Sequence, residues 1–154
     1  MYIRSVEKRD CLDLWKWRND YKTIVNSISK TIVSYPSHSK WFNSMIKKTD
    51  AEIFIAYDEK GKTKIGMVRF EKKDRNAIEV SINMNPIFRG KGLGRRFLSV
   101  SISNFLNRAP DFVINARVFI DNYRSKRLFE NCGFVVTSTK DKIVYYTLNK
   151  GKLS

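Results

Sequence analysis

The chain has 154 residues, a length typical of one domain that buries a hydrophobic core of its own. Hydrophobic residues make up 42% and charged residues 29%, which excludes a disordered or a fibrous protein. The 30 Lys and Arg residues exceed the 15 Asp and Glu residues and give a formal charge of +15. This surplus favours a polyanionic partner, either nucleic acid or a phosphorylated small molecule, and its simplest alternative is a bias toward lysine.

The two cysteines lack the partners that a zinc site or a disulfide framework requires. Cys11 and Cys132 lie far apart in the chain without a Cys-x-x-Cys spacing, so we expect two small buried apolar side chains and no metal. The first ten residues lack the apolar segment of a signal peptide, and no stretch approaches the roughly 18 apolar residues of a membrane span. The sequence therefore predicts a soluble, cytoplasmic protein.

The spacing of apolar residues predicts short strands and helices along one domain over residues 1–154. In chain order these are a strand over 1–6, a helix over 10–20, a helix from Ser34 or Ser37 through Ile46, strands over 53–57, 64–70 and 77–84, a helix with an apolar stripe from Leu93 to Leu106, a strand over 112–120, a helix over 122–131, and a hairpin over 134–139 and 143–148. This order is a mixed α/β (α+β) pattern in which strands outnumber helices.

A glycine-rich turn between a strand and a helix carries the strongest chemical signal. Residues 89–94 read Arg-Gly-Lys-Gly-Leu-Gly, and the glycines let backbone amides approach a ligand without an intervening Cβ. The following helix adds unpaired N–H groups and the positive end of its dipole. The turn predicts a pyrophosphate site that is neither a Walker A loop nor a Gly-x-Gly-x-x-Gly fingerprint. The alternative is a glycine-rich turn that leads into a basic surface helix.

Two motifs in order give the chain a family resemblance. Residues 84–94 resemble the acetyl-CoA motif of the GNAT acetyltransferases, a hydrophobic residue followed by x-Pro-x-x-Arg/Gln-Gly-x-Gly-x-Gly/Ala. Residues 122–125 and 128–134 resemble a second GNAT element, Asn-x-x-Ser/Ala and then Leu-Tyr/Phe-x-x-x-Gly-Phe. A helix and a strand separate the two motifs, as in that family, and the resemblance spans nearly the whole chain.

The resemblance implies a GNAT fold that binds acetyl-CoA between splayed strands. The fold would have a mostly antiparallel sheet of about six to seven strands flanked by about four helices. One strand end would bond the pantetheine arm and the acetyl carbonyl through backbone groups, and the glycine-rich turn would hold the pyrophosphate. The coenzyme-binding residues implied are Ile82, Asn83, Met84, Arg89, Gly90, Lys91, Gly92, Leu93, Gly94, Arg95, Asn122 and Ser125.

Direct attack of an amine on the thioester requires a base and a proton donor for the departing thiolate. Glu79 is the only carboxylate on its strand and is the candidate base, with a solvated glutamate or an ion pair to a lysine as the alternative. Many GNAT enzymes use a tyrosine as the donor, but this chain has Phe129 at that place. Ser125 is therefore the candidate donor, and its alternative is a capping or coenzyme-positioning hydroxyl. Other tyrosines stay open for this role: Tyr123, Tyr145 and Tyr146.

The N-terminal third resembles a GNAT subgroup that acetylates amino-sugar nucleotides in bacterial surface-glycan pathways, such as pseudaminic acid synthesis. The residues that carry this resemblance, and that would bind the acceptor, are Trp17, Arg18, Asn19, His38 and Trp41. An arginine can pair with a phosphate or a carboxylate, and a tryptophan can stack on a sugar or uracil ring. The alternatives are core tryptophans, a structural histidine and an arginine that ends a helix.

The leading hypothesis is an acetyl-CoA-dependent N-acetyltransferase of a primary amine on an amino-sugar nucleotide. The alternatives are acetylation of a protein N-terminus, as in ribosomal-protein enzymes, or of a polyamine. A basic nucleic-acid-binding module is the non-enzymatic alternative and is disfavoured because the aromatic residues read as core. Residues 89–127 hold nine basic and two acidic residues, nearly half of the surplus charge, which favours an anionic coenzyme. A homodimer is left open.

Overall fold

The computed structural model describes residues 1–152 and shows five α-helices and seven strands. The elements are β1 (Tyr2–Ser5), α1 (Cys11–Arg18), α2 (Tyr21–Asn26), α3 (Tyr35–Met45), β2 (Ala51–Tyr57), β3 (Lys64–Asp74), β4 (Ala77–Met84), α4 (Leu93–Arg108), β5 (Val113–Phe119), α5 (Tyr123–Asn131), β6 (Phe134–Lys140) and β7 (Ile143–Leu148). None of the helices within this described range is long and apolar enough to cross a membrane.

The seven strands form one open sheet in the order β1-β2-β3-β4-β5-β7-β6. Neighbouring strands are antiparallel except β4 and β5, which run parallel because α4 connects them as a crossover. This confirms the expected mixed, mostly antiparallel sheet of seven strands. Helices pack on both faces of the sheet. They can do so because alternate side chains of a strand point to opposite faces, and apolar side chains lie on both.

Two hydrophobic cores lie on the two faces of this sheet. The larger core packs α4 and α5 on the sheet through Phe97, Leu98, Ile102 and Phe129. The smaller core packs α1 and α3 on β2 through Leu14, Trp17, Phe42, Ile53 and Ile55. Both cysteines are free and buried, as the sequence predicted.

Helix α2 is the element that the sequence analysis did not predict. The expected break at residues 19–20 is present, because Asn19 ends α1 and the Asp20 side chain caps α2 by accepting from the Thr23 N–H at 3.2 Å. Tyr21, Ile24 and Val25 have helical spacing, but the helix is only six residues long and none of its side chains is buried in a core. The structure thus has five α-helices where about four were expected, and α2 is the additional one.

Candidate active site

The parallel pair β4–β5 separates after three residue pairs. Pairing runs from Ala77 opposite Val113 to Glu79 opposite Asn115. Beyond this point the two strands continue without pairing to each other, and each stays paired to its other neighbour. A cavity of about 1300 Å³ opens at this point. It is lined by residues 79–84 of β4, 117–119 of β5, the start of α4 and α5, and the α2 segment, and we call it the β4–β5 cleft. The strands are splayed, as the resemblance implied.

The glycine-rich turn at the edge of the cleft has the backbone that a phosphate site requires. Gly90 and Gly92 have φ values of 76° and 73°, and a Cβ built on either residue would meet nothing within 4 Å. Gly92 is the N-cap of α4, so the unpaired N–H groups of that helix follow the turn directly. Cationic side chains also line the cleft here: Arg95, Arg124 and Arg127. The residues therefore fit the diphosphate of a coenzyme.

The two cationic side chains at residues 89 and 91 of this turn are placed differently. Arg89 lines the cleft, but its guanidinium is held within the protein by Asp20, Thr23 and the Met84 carbonyl oxygen. Burial raises the pKa of the Asp20 carboxyl, but the hydrogen bond and charge of Arg89 outweigh it and lower the pKa overall. Lys91 is exposed, lies outside the cleft lining and has its Nζ 5.3 Å from the centroid of the Phe88 ring.

The other coenzyme residues implied by the resemblance all lie on the cleft. They are Ile82, Asn83, Met84, Gly90, Gly92, Leu93, Gly94, Arg95, Asn122 and Ser125. Asn122 is the N-cap of α5, where its Oδ1 accepts from the Ser125 N–H at 3.2 Å. Its Nδ2 donates to the Asn26 carbonyl at 3.3 Å, so one side chain connects α5 to the α2 segment.

Glu79 lies at the point where the strands separate, and it is held in an ion pair. Arg117 donates to the carboxylate from Nε at 2.6 Å and from Nη2 at 3.0 Å. The hydrogen bond to Glu79 raises the pKa of the Arg117 guanidinium. The partner is thus an arginine on β5 rather than the lysine considered from sequence. The role of Glu79 as a base stays a prediction.

Of the hydroxyl groups considered as proton donors, Ser125 is the one that lies on the cleft. Phe129 occupies the place of the usual tyrosine, with its ring in the larger core. The three open tyrosines do not line the cleft: Tyr123, Tyr145 and Tyr146. Tyr146 is buried and donates to Glu130 at 3.0 Å, and burial together with that carboxylate raises the pKa of its phenol to about 12.

Three of the five predicted acceptor residues line the cleft: Arg18, His38 and Trp41. Arg18 donates to Ser29 Oγ at 2.7 Å, while its Nη1 is buried without a hydrogen-bond partner. The His38 side chain is also buried, and its Nε2 has no hydrogen-bond partner. Burial lowers the pKa of the His38 imidazole and the charge of Arg18 lowers it further, whereas a hydrogen bond to the Cys11 backbone opposes them.

The other two predicted acceptor residues, Trp17 and Asn19, do not line the cleft. Trp17 is 5% exposed and belongs to the smaller core. Asn19 is a structural residue, since it donates to the Val33 carbonyl and accepts from the Val33 N–H, at 2.7 and 2.8 Å. Both residues connect α1 to its surroundings instead of facing a ligand.

The sequence analysis missed several residues of the cleft. They are Lys22, Thr23, Ser29, Arg69, Arg117, Arg124 and Arg127. Lys22 and Thr23 were missed because the sequence analysis assigned no helix to residues 21–26, although Tyr21, Ile24 and Val25 have helical spacing. Arg124 and Arg127 did carry a signal, since they belong to the basic stretch of residues 89–127 that favours an anionic coenzyme.

Comparison with protein families decides the identity of the chain. A family model described as an acetyltransferase (GNAT) domain matches residues 3–149. The chain belongs to the GNAT acetyltransferase family. No curated protein sequence matches this GNAT domain. GNAT enzymes use acetyl-CoA, so the protein is an acetyl-CoA-dependent N-acetyltransferase.

Solved structures of low sequence identity share the fold of this GNAT domain. Spermidine N-acetyltransferase from Vibrio cholerae, in complex with CoA and spermine, is 18% identical with a TM-score of 0.84, over 99% of this chain and 96% of that chain. A domain from Methanocaldococcus jannaschii is 22% identical with a TM-score of 0.81, over 96% of this chain and 97% of that chain. Both comparisons support the GNAT architecture.

Proposed function

We propose that this GNAT domain acetylates a primary amine on an anionic small molecule, specifically an amino-sugar nucleotide of bacterial surface-glycan synthesis. The observation that carries this proposal is the charge of the β4–β5 cleft. On its acceptor side the cleft is lined by three cations, Arg18, Lys22 and Arg69. Glu79 is the only carboxylate among the described residues of the lining, and Arg117 already binds it at two positions.

Arg18 is the residue best placed to recognise the anionic group. Its buried Nη1 has no hydrogen-bond partner among the described residues, so a phosphate or carboxylate oxygen there would satisfy a donor that burial otherwise penalises. His38 beside it has a lowered pKa and is neutral near pH 7, so its Nε2 adds a hydrogen-bonding group without charge. Trp41 lines the same wall and offers an aromatic surface for a sugar or base.

Polyamine acetylation is the second candidate, and the Vibrio cholerae structure with spermine is the finding that favours it. A polyamine carries several positive charges and requires carboxylates to replace its hydration. The cleft presents arginines and lysines where those carboxylates would be required. The charge of the cleft therefore favours the anionic acceptor over the polyamine.

Acetylation assays that follow release of the CoA thiol test this proposal. We expect UDP-linked amino sugars to be turned over with a kcat/KM at least about 100-fold above that of spermidine or a basic peptide, the order of effect of one or two charge-assisted contacts. Spermidine as the preferred substrate would overturn the proposal and establish the polyamine alternative.

Arg18→Gln sharpens the same test. We expect the KM of the nucleotide-linked acceptor to rise about tenfold, while that of an uncharged amino sugar stays within about twofold. Arg9→Gln is the matched control, because Arg9 is an exposed cation paired with Glu7 outside the cleft. An equal rise in KM for both acceptors in Arg18→Gln would show that Arg18 does not bind the anionic group.

Ser125 supplies the proton to the departing CoA thiolate as the C–S bond breaks in the mechanism that we propose, and the proton that the amine loses on forming the C–N bond restores the Ser125 hydroxyl. When bound, acetyl-CoA supplies the thioester that the amine attacks. Asn122 holds the start of α5 in place, so the Ser125 hydroxyl keeps a fixed position at the cleft. Glu79 and Arg117 join β4 to β5 at the closed end of the cleft and keep its two walls in register.

Ser125→Ala should lower kcat about 100-fold with little change in the KM of acetyl-CoA, because general acid catalysis contributes on that order. The measurement is kcat as a function of pH for the wild type, Ser125→Ala and Ser125→Thr. The threonine variant retains the hydroxyl and should recover most of the rate. A kcat for Ser125→Ala that equals the wild type across pH would remove Ser125 as the donor.

A further inference from the structure

Helix α2 covers the acceptor side of the cleft, yet it buries none of its side chains. A six-residue helix without apolar anchoring is marginal by itself, so its position depends on the contacts at its ends. Those contacts are polar, and they come from two turns that line the coenzyme side of the cleft.

The first contact joins the N-terminus of α2 to the glycine-rich turn. Asp20, which caps α2, pairs with Arg89, and Arg89 Nη2 donates to Thr23 Oγ1 at 2.7 Å. The same guanidinium donates to the Met84 carbonyl from Nε at 3.2 Å and from Nη2 at 3.1 Å. Each nitrogen of this guanidinium is thus engaged by α2 or by the end of β4. Arg89 connects two elements and is not free to pair with a ligand.

The second contact joins the C-terminus of α2 to the start of α5. Asn122 donates to the Asn26 carbonyl at 3.3 Å while its other side-chain atom caps α5. Thr23 Oγ1 also lies 3.5 Å from Asn83 Oδ1 on β4. Both ends of α2 are therefore held by residues on the coenzyme side of the cleft. The conformation of α2 and the conformation of the glycine-rich turn and of the start of α5 consequently depend on each other.

We propose that Asp20 and Thr23 are positioning residues that hold Arg89 against β4 and thereby couple acetyl-CoA binding to closure of α2 over the acceptor. Backbone amides of the turn and the cations Arg95, Arg124 and Arg127 would hold the coenzyme phosphates, and Arg89 fixes the turn that presents those amides. Coupling of this kind is reciprocal, so the coenzyme raises the affinity for the acceptor by the same factor that the acceptor raises its affinity for the coenzyme. The proposal concerns the coenzyme side and does not depend on which amine is acetylated.

Calorimetric titration with acetyl-CoA alone tests the coupling without any acceptor. We expect Asp20→Asn and Thr23→Val each to weaken acetyl-CoA binding about tenfold, the effect of losing one hydrogen bond to a charged group. Thr23→Ser keeps the hydroxyl and should bind within about twofold of the wild type. Glu52→Gln is the matched control, because it breaks a carboxylate–arginine pair with Arg108 outside the cleft.

Hydrogen exchange supplies the second measurement. In the wild type, acetyl-CoA should slow exchange of the amides in residues 20–29, and in Asp20→Asn this protection should be lost at saturating ligand. Unchanged binding in both variants would overturn the proposal. Tighter binding by Asp20→Asn would overturn it too, because Asp20 would then compete with the coenzyme for Arg89. Thr23→Val decides the outcome if Asp20→Asn fails to fold.

Discussion

Replacing Gly92 with valine is expected to weaken acetyl-CoA binding by roughly 100-fold, a loss of about 2.7 kcal/mol. Gly92 has a φ of 73° and is the N-cap of α4. A β-branched residue strongly disfavours this left-handed conformation, so we expect the backbone of the turn to shift. The first N–H groups of α4 would then no longer point toward the phosphate position. A Cβ at Gly92 would meet no protein atom within 4 Å, so the expected effect comes from the backbone conformation and not from a clash.

Gly61→Val separates the loss of the site from the loss of stability. Gly61 has a φ of 65° and open space around its Cβ, but it lies in the turn between β2 and β3, outside the cleft. The free energy of unfolding of both variants should be about 1–2 kcal/mol lower than that of the wild type, because each places a valine in a left-handed backbone conformation. Titration should show weaker acetyl-CoA binding for Gly92→Val alone. Equal affinities in the two variants would contradict the assignment of the turn.

Asp10→Asn is expected to lower the free energy of unfolding by about 3 kcal/mol, because it leaves two part-buried cations without their shared partner. Asp10 is 0% exposed and accepts hydrogen bonds from Arg4 at 2.7 and 2.9 Å and from the Glu7 N–H at 2.7 Å. Lys64 lies 2.8 Å from the same carboxylate. One side chain thus joins β1, β3 and the segment before α1. Denaturant titration measures the change.

The pH dependence of stability follows from the same group. Burial raises the pKa of the Asp10 carboxyl, but hydrogen bonds from Arg4 and Lys64 outweigh it and bring the pKa to about 2, against an ordinary 3.8. A lowered pKa gives stability that is full above pH 4 and lost as the pH falls toward 2, about 2 kcal/mol in all. The Asp10→Asn variant should lack this loss between pH 4 and 2.

Asp13→Asn is the control for this cluster, because Asp13 pairs with the same Lys64 at 2.6 Å but is much more exposed. It should change the free energy of unfolding by less than about 1 kcal/mol. If Asp13→Asn destabilised the protein as much as Asp10→Asn, the burial of Asp10 would not be the source of the effect.

The structural features that the sequence predicted and the structure shows are those encoded by neighbouring residues. The turn at residues 89–94 carries its glycines and its helix start within a few positions, and the strict alternation of β4 places Ile78 and Val80 in the core. Both signals are local, since backbone conformation and side-chain direction follow from adjacent residues.

The parts that failed depend on partners far along the chain. Arg89 meets Asp20 from a distance of 69 residues, and Arg117 meets Glu79 from 38 residues, so neither pair leaves a local pattern. Trp17 and Trp41 both have helical spacing, and only packing decides that Trp17 lies in the core and Trp41 on the cleft. Helical periodicity predicts that a face is buried without indicating what covers it.

The short β4–β5 ladder divides the sheet into two half-sheets, β1–β4 and β5–β7, joined at a seam of three residue pairs. A coenzyme bound in the β4–β5 cleft would contact both half-sheets and so stabilise the sheet as well as react. Its binding free energy adds to the stability of the native chain, because ligand that binds only the folded state stabilises it by mass action. The free energy of unfolding of the enzyme is therefore expected to rise with the concentration of acetyl-CoA.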